Sequence, residues 1–78
     1  MRTNKLPRAV LTIYNGRLWI NIVERKGPLR GCFASKEAAI AIGRAHALDA
    51  GTTHIIQNEA GEIVETASYE RLPELSRG

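Results

Sequence analysis

The alternation of apolar and polar residues is most regular near the N-terminus, where two strand-like runs flank Asn15-Gly16. Residues 9–14 (AVLTIY) and residues 17–23 (RLWINIV) are both rich in β-branched and aromatic side chains. Asn-Gly is favoured in two-residue type I′ turns because both positions need a positive φ. The pattern therefore predicts a β-hairpin in which Tyr14 lies opposite Arg17 and Thr12 lies opposite Trp19.

This register divides the hairpin into two faces of different composition. One face is wholly apolar and consists of Ala9, Leu11, Ile13, Leu18, Ile20 and Ile22. Because alternate strand residues point to opposite sides of a sheet, the apolar face is predicted to lie on the protein core. The other face is predicted to be the outer one, and it carries Val10, Thr12, Tyr14, Arg17, Trp19, Asn21 and Val23.

A single helix is predicted over residues 36–50, after the N-cap residue Ser35 and before Gly51. The apolar residues at helical spacing define the face that we expect to contact the sheet: Ala38, Ala41, Ile42, Ala45 and Leu48. Gly43 lowers helix propensity by about 1 kcal/mol, which favours a close approach of helix and sheet at this position.

Two further strands are predicted over residues 53–58 and 62–67, with a turn at residues 58–61. The predicted fold is a single α+β domain over residues 1–78. It is a four-stranded antiparallel sheet of ββαββ order, with strands paired 1–2 and 3–4 and one helix packed on one face. We expect an ordered core over about residues 8–69 and a polar tail over residues 70–78.

Charge is unevenly distributed along the 78 residues, although the net charge is only +3. Residues 1–36 contain eight Lys or Arg and one acid (net +7), whereas residues 37–78 contain three Arg and seven acids (net −4). A basic segment of this kind is found in proteins that contact nucleic acid or an acidic protein, and also on ordinary solvated surfaces. A single cysteine, with no apolar targeting or membrane-spanning run, favours a cytoplasmic protein.

The residues that could carry chemistry form no familiar motif. They are Cys32, His46, Asp49, His54 and Tyr69. The cysteine and the histidines lack the CxxC and HExxH spacings of zinc sites, and residues 27–31 (GPLRG) match neither a P-loop nor a dinucleotide-binding fingerprint. The sequence therefore predicts no enzymatic activity, no metal and no cofactor.

A series of residues between positions 17 and 69 resembles a bacterial family of small proteins known only as a domain of unknown function. The matching residues are Trp19, Phe33, Ser35-Lys36, Ala39-Ile40, Arg44, Ala47, Gly51, Ile56, Gly61, Ile63 and Ser68-Tyr69. The resemblance implies the same ββαββ fold and supplies no activity, because none is established for that family. Some phage-borne anti-CRISPR inhibitors are similar in size and layout, which is a likeness of fold only.

Function is predicted to reside in the outer face of the first hairpin and in the basic loop that follows it. The predicted partner-binding residues are Tyr14, Arg17, Trp19, Asn21, Arg25, Lys26 and Arg30. Aromatic and Arg side chains dominate interface hot spots, so we expect a small non-enzymatic module that binds protein and forms a homodimer. The same residue types suit single-stranded nucleic acid. The alternatives are a nucleic-acid-binding accessory protein and a phage-type, anti-CRISPR-like inhibitor of a host nucleoprotein complex. No membrane partner is expected.

Overall fold

The computed structural model describes residues 8–70. This part of the chain contains, in order, β1 (Val10–Tyr14), β2 (Trp19–Val23), β3 (Gly27–Pro28), α1 (Lys36–Ala50), β4 (Thr53–Gln57) and β5 (Ile63–Ser68). The predicted helix boundaries are confirmed. Apart from Glu70, the predicted polar tail lies outside the described residues.

The five strands form one sheet in the order β3-β2-β1-β4-β5, which places β1 at the centre. β1 and β4 are parallel, whereas the other neighbouring pairs are antiparallel. The α+β class with one helix is confirmed, but the four-stranded, wholly antiparallel sheet is wrong. The sheet is mixed because α1 returns the chain to the free side of β1 in the same direction as β1. The short β3 adds a fifth strand at the edge.

The turn after β1 contains four residues and not the predicted two, so Trp19 pairs with Tyr14 instead of Thr12. The Asn15 side chain accounts for the longer turn. Its Oδ1 accepts hydrogen bonds from the backbone N–H groups two and three residues further on, both at 2.9 Å. The predicted register is therefore wrong by two residues. Because the shift is even, the division of the hairpin into two faces is unchanged.

The helix contacts β1, β2 and β4 through small residues. It begins after Ser35, whose Oγ accepts a hydrogen bond from the Ala38 N–H at 3.0 Å, and it ends at Gly51, whose φ is 66°. Its buried positions are four residues apart along one stripe: Ala39, Gly43 and Ala47. This stripe lets the helix backbone lie close to the sheet.

The predicted contact face of the helix is wrong. Its members Ala38, Ala41, Ile42, Ala45 and Leu48 are all exposed, Ile42 by 45% and Leu48 by 51%. Side chains as large as Ile42 and Leu48 would hold the helix away from the sheet. Since the small stripe packs inward, these two residues point to solvent.

The core between helix and sheet combines few large apolar residues with several polar ones. Its buried residues are Val10, Trp19, Val23, Ala39, Ala47 and Ile56, with the polar Thr12, Asn21, Thr52 and His54. All the buried residues from β1 and β2 belong to the hairpin face that the sequence pattern predicted to be the outer one. The prediction of which hairpin face lies on the core is therefore wrong, and its wholly apolar face lies on the side opposite the helix.

Candidate functional site

The face of the sheet opposite the helix carries a continuous aliphatic surface. Paired residues in neighbouring strands lie on the same face, and one row of pairs crosses all five strands: Pro28, Ile22, Leu11, Ile55 and Thr66. The next row contains the pair Ile13 and Ile20. We call the branched aliphatic members of these rows the outer patch: Leu11, Ile13, Ile20, Ile22 and Ile55.

The outer patch is only partly buried, unlike the face beneath the helix. All five of its side chains retain solvent contact, whereas Val10, Trp19 and Val23 on the helix side are at most 4% exposed. The single described helix packs on the helix side, and no other element within residues 8–70 lies over the outer patch. The patch is therefore a flat apolar surface that the described part of the chain leaves uncovered.

The strands place no charge on this outer face. Its polar positions are Thr53, Gln57, Thr66 and Ser68. The one Lys, Arg, Asp or Glu within the five strands is Glu65, and its pairing with Ile56 assigns it to the helix side. A neutral apolar face can pack against a second apolar face without burying an unpaired charge.

Two of the predicted partner-binding residues are buried against the helix: Trp19 is 4% exposed and Asn21 is 1% exposed. Tyr14, on the same face, places its ring centroid 5.0 Å from that of Trp19. The Lys36 ammonium lies 5.3 Å from the Trp19 ring centroid. These contacts stabilise one end of the helix–sheet packing, and the prediction that Trp19 and Asn21 face a partner is wrong.

The other four predicted residues lie in exposed loops: Arg17, Arg25, Lys26 and Arg30. The structure brings Arg25 and Lys26 together in the β2–β3 turn, at the opposite end of β2 from Trp19. Arg25 has a φ of 61°, a left-handed conformation that non-glycine residues seldom adopt. The basic loop is thus separated from the aromatic pair with which the sequence prediction combined it.

A chain of hydrogen bonds crosses the buried face beneath the helix. Thr12 Oγ1 donates to Asn21 Oδ1 at 2.5 Å, and it lies 2.7 Å from His54 Nε2. Asn21 Nδ2 donates to the helix carbonyl oxygen of Ala39 at 3.0 Å. Because the Thr12 hydroxyl has one proton, it accepts from His54, so neutral His54 carries its proton on Nε2.

Gly43 makes this cluster possible. A Cβ at position 43 would lie 2.5 Å from Asn21 Oδ1, 2.7 Å from His54 Nε2 and 2.8 Å from Thr12 Oγ1. The three polar residues are each at most 1% exposed. No reactant reaches the His54–Thr12 pair while the helix is in place, so the arrangement is that of a satisfied polar core and not of a nucleophile with its base.

Burial lowers the pKa of His54 below its ordinary value of 6.5, because an imidazolium ion would lose its hydration there. The charge of Arg44 lowers the pKa further, whereas Glu65 raises it. Burial therefore favours the neutral ring that the hydrogen-bond chain uses.

The remaining candidates for chemistry differ in exposure. Cys32 and Asp49 are exposed, whereas His46 and Tyr69 are partly buried. Among residues 8–70, no three His, Cys, Asp or Glu side chains are placed to hold a metal ion. In the same stretch, no helix has the length and apolar character needed to cross a membrane.

The fold and this surface define a small α+β domain in which one helix covers one face of a mixed five-stranded sheet and leaves an aliphatic face on the other. The model of the family described as an uncharacterized protein conserved in bacteria (DUF2188) matches residues 10–69. The chain belongs to this family, and the resemblance seen in the sequence is confirmed. No curated protein and no solved structure matches the chain.

Sequence reasoning missed the outer patch, although a signal for it is present. Small residues recur at four-residue spacing in α1 (Ala39, Gly43 and Ala47), and this is the pattern of a closely packed helix face. Polar residues that need buried partners alternate along the strands opposite them (Thr12, Asn21 and His54). Taken together, these two patterns would have identified the helix side and left the aliphatic face as the outer one.

Proposed function

We propose that this domain is a non-enzymatic protein-binding module that associates with a second copy of itself through the outer patch. One observation carries the proposal: five partly exposed aliphatic side chains are contiguous on a sheet face that no other helix or strand within residues 8–70 covers. Monomeric proteins seldom leave such surfaces free, and apolar patches of this kind are typical of interaction sites.

The energetics of so small a domain support the proposal. Burial of apolar surface contributes roughly 25 cal/mol per Å², and a domain of this size buries only about 60% of its chain surface. The helix-side core contains Ala, Gly and hydrogen-bonded polar groups beside only a few large apolar side chains. Covering the outer patch would bury five further branched aliphatic side chains in a second core, between two sheets about 10 Å apart.

A second copy suits this surface better than a charged partner does. The outer face carries no charge from the strands, so two copies meet without like-charge repulsion in the interface centre. A patch that contacts its own equivalent is self-complementary by two-fold symmetry. The chemistry of the face therefore supports a homodimer through the outer patch, whereas the sequence analysis expected one through the face that carries Trp19.

The nucleic-acid alternative has less support. Sequence-tolerant binding of single strands uses aromatic rings on which bases stack, but Trp19 lies beneath the helix and Tyr14 is partly buried. Exposed cations remain in the loops, where they supply phosphate contacts without a stacking platform. Within the described part of the chain, no contact or charge specifically favours an inhibitor of a nucleoprotein complex.

Light scattering of the full chain at several concentrations tests the proposal. We expect a mass of twice the 8.6 kDa of one chain. Ile22→Glu places a charge at the centre of the outer patch and should give a folded monomer. Leu48→Glu makes the same chemical change at an exposed aliphatic residue of the helix, and it should leave the dimer intact.

A monomeric wild type at all concentrations would overturn the proposal, as would an Ile22→Glu variant that keeps the wild-type mass. If Ile22→Glu does not fold, the concentration dependence of the wild-type melting temperature shows whether the protein associates. Association linked to folding makes that temperature rise with protein concentration, whereas a monomer shows no dependence.

A further inference from the structure

The strand order places charges of opposite sign at the two edges of the sheet. Three exposed cations lie on the β2–β3 side, next to the exposed acid Glu24, and we call the three cations the basic edge: Arg25, Lys26 and Arg30. Four exposed acids lie on the β4–β5 side, and we call them the acidic edge: Glu59, Glu62, Glu65 and Glu70. Residues 51–70 contain no Lys or Arg. The contrast between the two halves of the sequence thus becomes a charge gradient across the sheet.

We infer that two copies pack through their outer patches with one sheet reversed from side to side, so that the basic edge of each copy lies beside the acidic edge of the other. This inference rests on the proposed function. A two-fold axis between the sheets has two limiting directions. An axis along the strands exchanges the edges, whereas an axis across the strands places each edge beside its own kind. Opposite charges meet in the first arrangement and like charges in the second.

The register of the sheet fits the edge-exchanged arrangement. Leu11 lies in the middle of the five-residue row, with Ile22 and Pro28 on one side and Ile55 and Thr66 on the other. An axis along β1 places Ile22 of one copy over Ile55 of the other and Pro28 over Thr66. The aliphatic side chains stay matched, and the strands stay within the crossing angle of about 30° typical of aligned sheet packing.

The ends of the strands indicate which charges approach each other. Val10, at the start of β1, pairs with Val23 and with His54, and His54 pairs with Ala67. The β2–β3 turn and the end of β5 therefore lie at the same end of the sheet. An axis along the strands keeps the two ends in place, so Arg25 and Lys26 of one copy approach Glu70 of the other.

Charge reversal on each edge, separately and together, tests this arrangement in the full chain. Arg25→Glu with Lys26→Glu should weaken the dimer roughly 5- to 30-fold, because two attractive rim contacts become repulsive. Glu70→Lys, at the same end of the sheet, should also weaken it. The chain with all three changes restores opposite charges between residues 25–26 of one copy and residue 70 of the other, and its dissociation constant should return to within about 3-fold of the wild type. Added salt should weaken the wild-type dimer.

The alternative arrangement gives the opposite set of results. If like edges meet, salt strengthens the wild-type dimer, and neither reversal weakens it, because each reversal lowers the like charge at the edge that it changes. That outcome, with Ile22→Glu still dissociating the protein, would overturn the arrangement and leave the proposed function standing. A monomeric wild type would overturn both.

Engineered cysteines give a second, geometric measurement. The exposed Cys32 is first replaced by Ser, and then Thr66→Cys or Pro28→Cys is introduced. A mixture of the two proteins should form a disulfide-linked heterodimer under mild oxidation. Thr66→Cys alone should not, since edge exchange separates its two copies by four strand spacings, roughly 19 Å. Efficient cross-linking of Thr66→Cys to itself, with none in the mixture, would overturn the arrangement.

Discussion

The two faces of the sheet differ in composition and in what covers them. The helix side holds polar, hydrogen-bonded groups such as Thr12 and His54, and these are fully buried. The outer side holds Leu11, Ile20 and Ile55, which keep part of their surface in solvent. The more apolar face is thus the one that the described chain leaves uncovered. Apolar content alone does not identify the face that a domain covers with its own helix.

The shape of the helix decides which face of the sheet it covers. A stripe of Ala and Gly brings the helix backbone so close that the Ala39 carbonyl accepts a hydrogen bond from Asn21 at 3.0 Å. A Cβ at position 43 would lie within 2.8 Å of polar atoms of Asn21, His54 and Thr12, so the helix fits this face only with glycine at that position. The polar face is therefore complementary to this helix, and the aliphatic face is complementary to a second flat surface.

The largest expected effect comes from the same substitution at two adjacent residues on opposite faces. Trp19→Glu removes a large ring and buries an unpaired charge, so it should lower the stability by about 5 kcal/mol or more and unfold the domain. Ile20→Glu should leave the domain folded and abolish dimerisation through the outer patch. Circular dichroism melting with light scattering distinguishes the two. A folded Trp19→Glu beside an unfolded Ile20→Glu would mean that the faces are assigned the wrong way round.

A second prediction concerns the closeness of the helix. Alanine is favoured over glycine in helices by about 1 kcal/mol. Gly43→Ala should nevertheless destabilise the domain by about 2–4 kcal/mol, because its Cβ would lie within 2.8 Å of three buried polar atoms. Urea unfolding measures the change. The exposed Ala41→Gly is the matched control, and its cost should be only about 1 kcal/mol. A stabilised Gly43→Ala would contradict the close packing.

A third prediction compares one substitution on a buried and on an exposed threonine. Thr12→Val leaves Asn21 Oδ1 and His54 Nε2 without their shared hydroxyl, which should cost about 1–3 kcal/mol. Thr66→Val on β5 removes a solvated hydroxyl and should change stability by no more than about 0.5 kcal/mol. Equal free energies of unfolding for the two variants would show that the buried hydrogen-bond chain does not hold the helix.

The smallest effect is a dependence of stability on pH. Because the pKa of His54 is lowered in the folded protein, the unfolded chain binds a proton more readily below pH 6.5. The part of the stability that depends on neutral His54 is therefore fully present above pH 6.5. It is lost as the pH falls below 6.5 and through the lowered pKa, by at most about 1.4 kcal/mol per pH unit. Urea unfolding between mildly acidic and neutral pH measures the slope. His54→Gln should flatten it, and an unchanged slope would exclude His54 as its source.

Local features were predictable because their causes lie within a few residues of each other. Ser35 and Gly51 cap the helix through hydrogen bonds and a left-handed backbone, so its boundaries followed from the sequence. The alternation of side chains along a strand grouped the hairpin residues correctly into two faces. The turn length was missed because the Asn15 side chain caps its own loop, an interaction that competes with the two-residue turn expected for Asn-Gly.

The sequence by itself determined the order of the helix and the four longer strands, the helix boundaries, the membership of each hairpin face and the separation of charge along the chain. Only the tertiary structure decided that β4 lies parallel to β1, that the helix covers the polar face, and that the basic edge and the acidic edge lie on opposite sides of one sheet. The reason is physical. Helix caps and the alternation of side chains along a strand depend on neighbouring residues. The choice of the face that the helix covers depends instead on the fit of Gly43 and its flanking alanines over Thr12, Asn21 and His54. These residues lie far apart in the sequence and meet only in the fold.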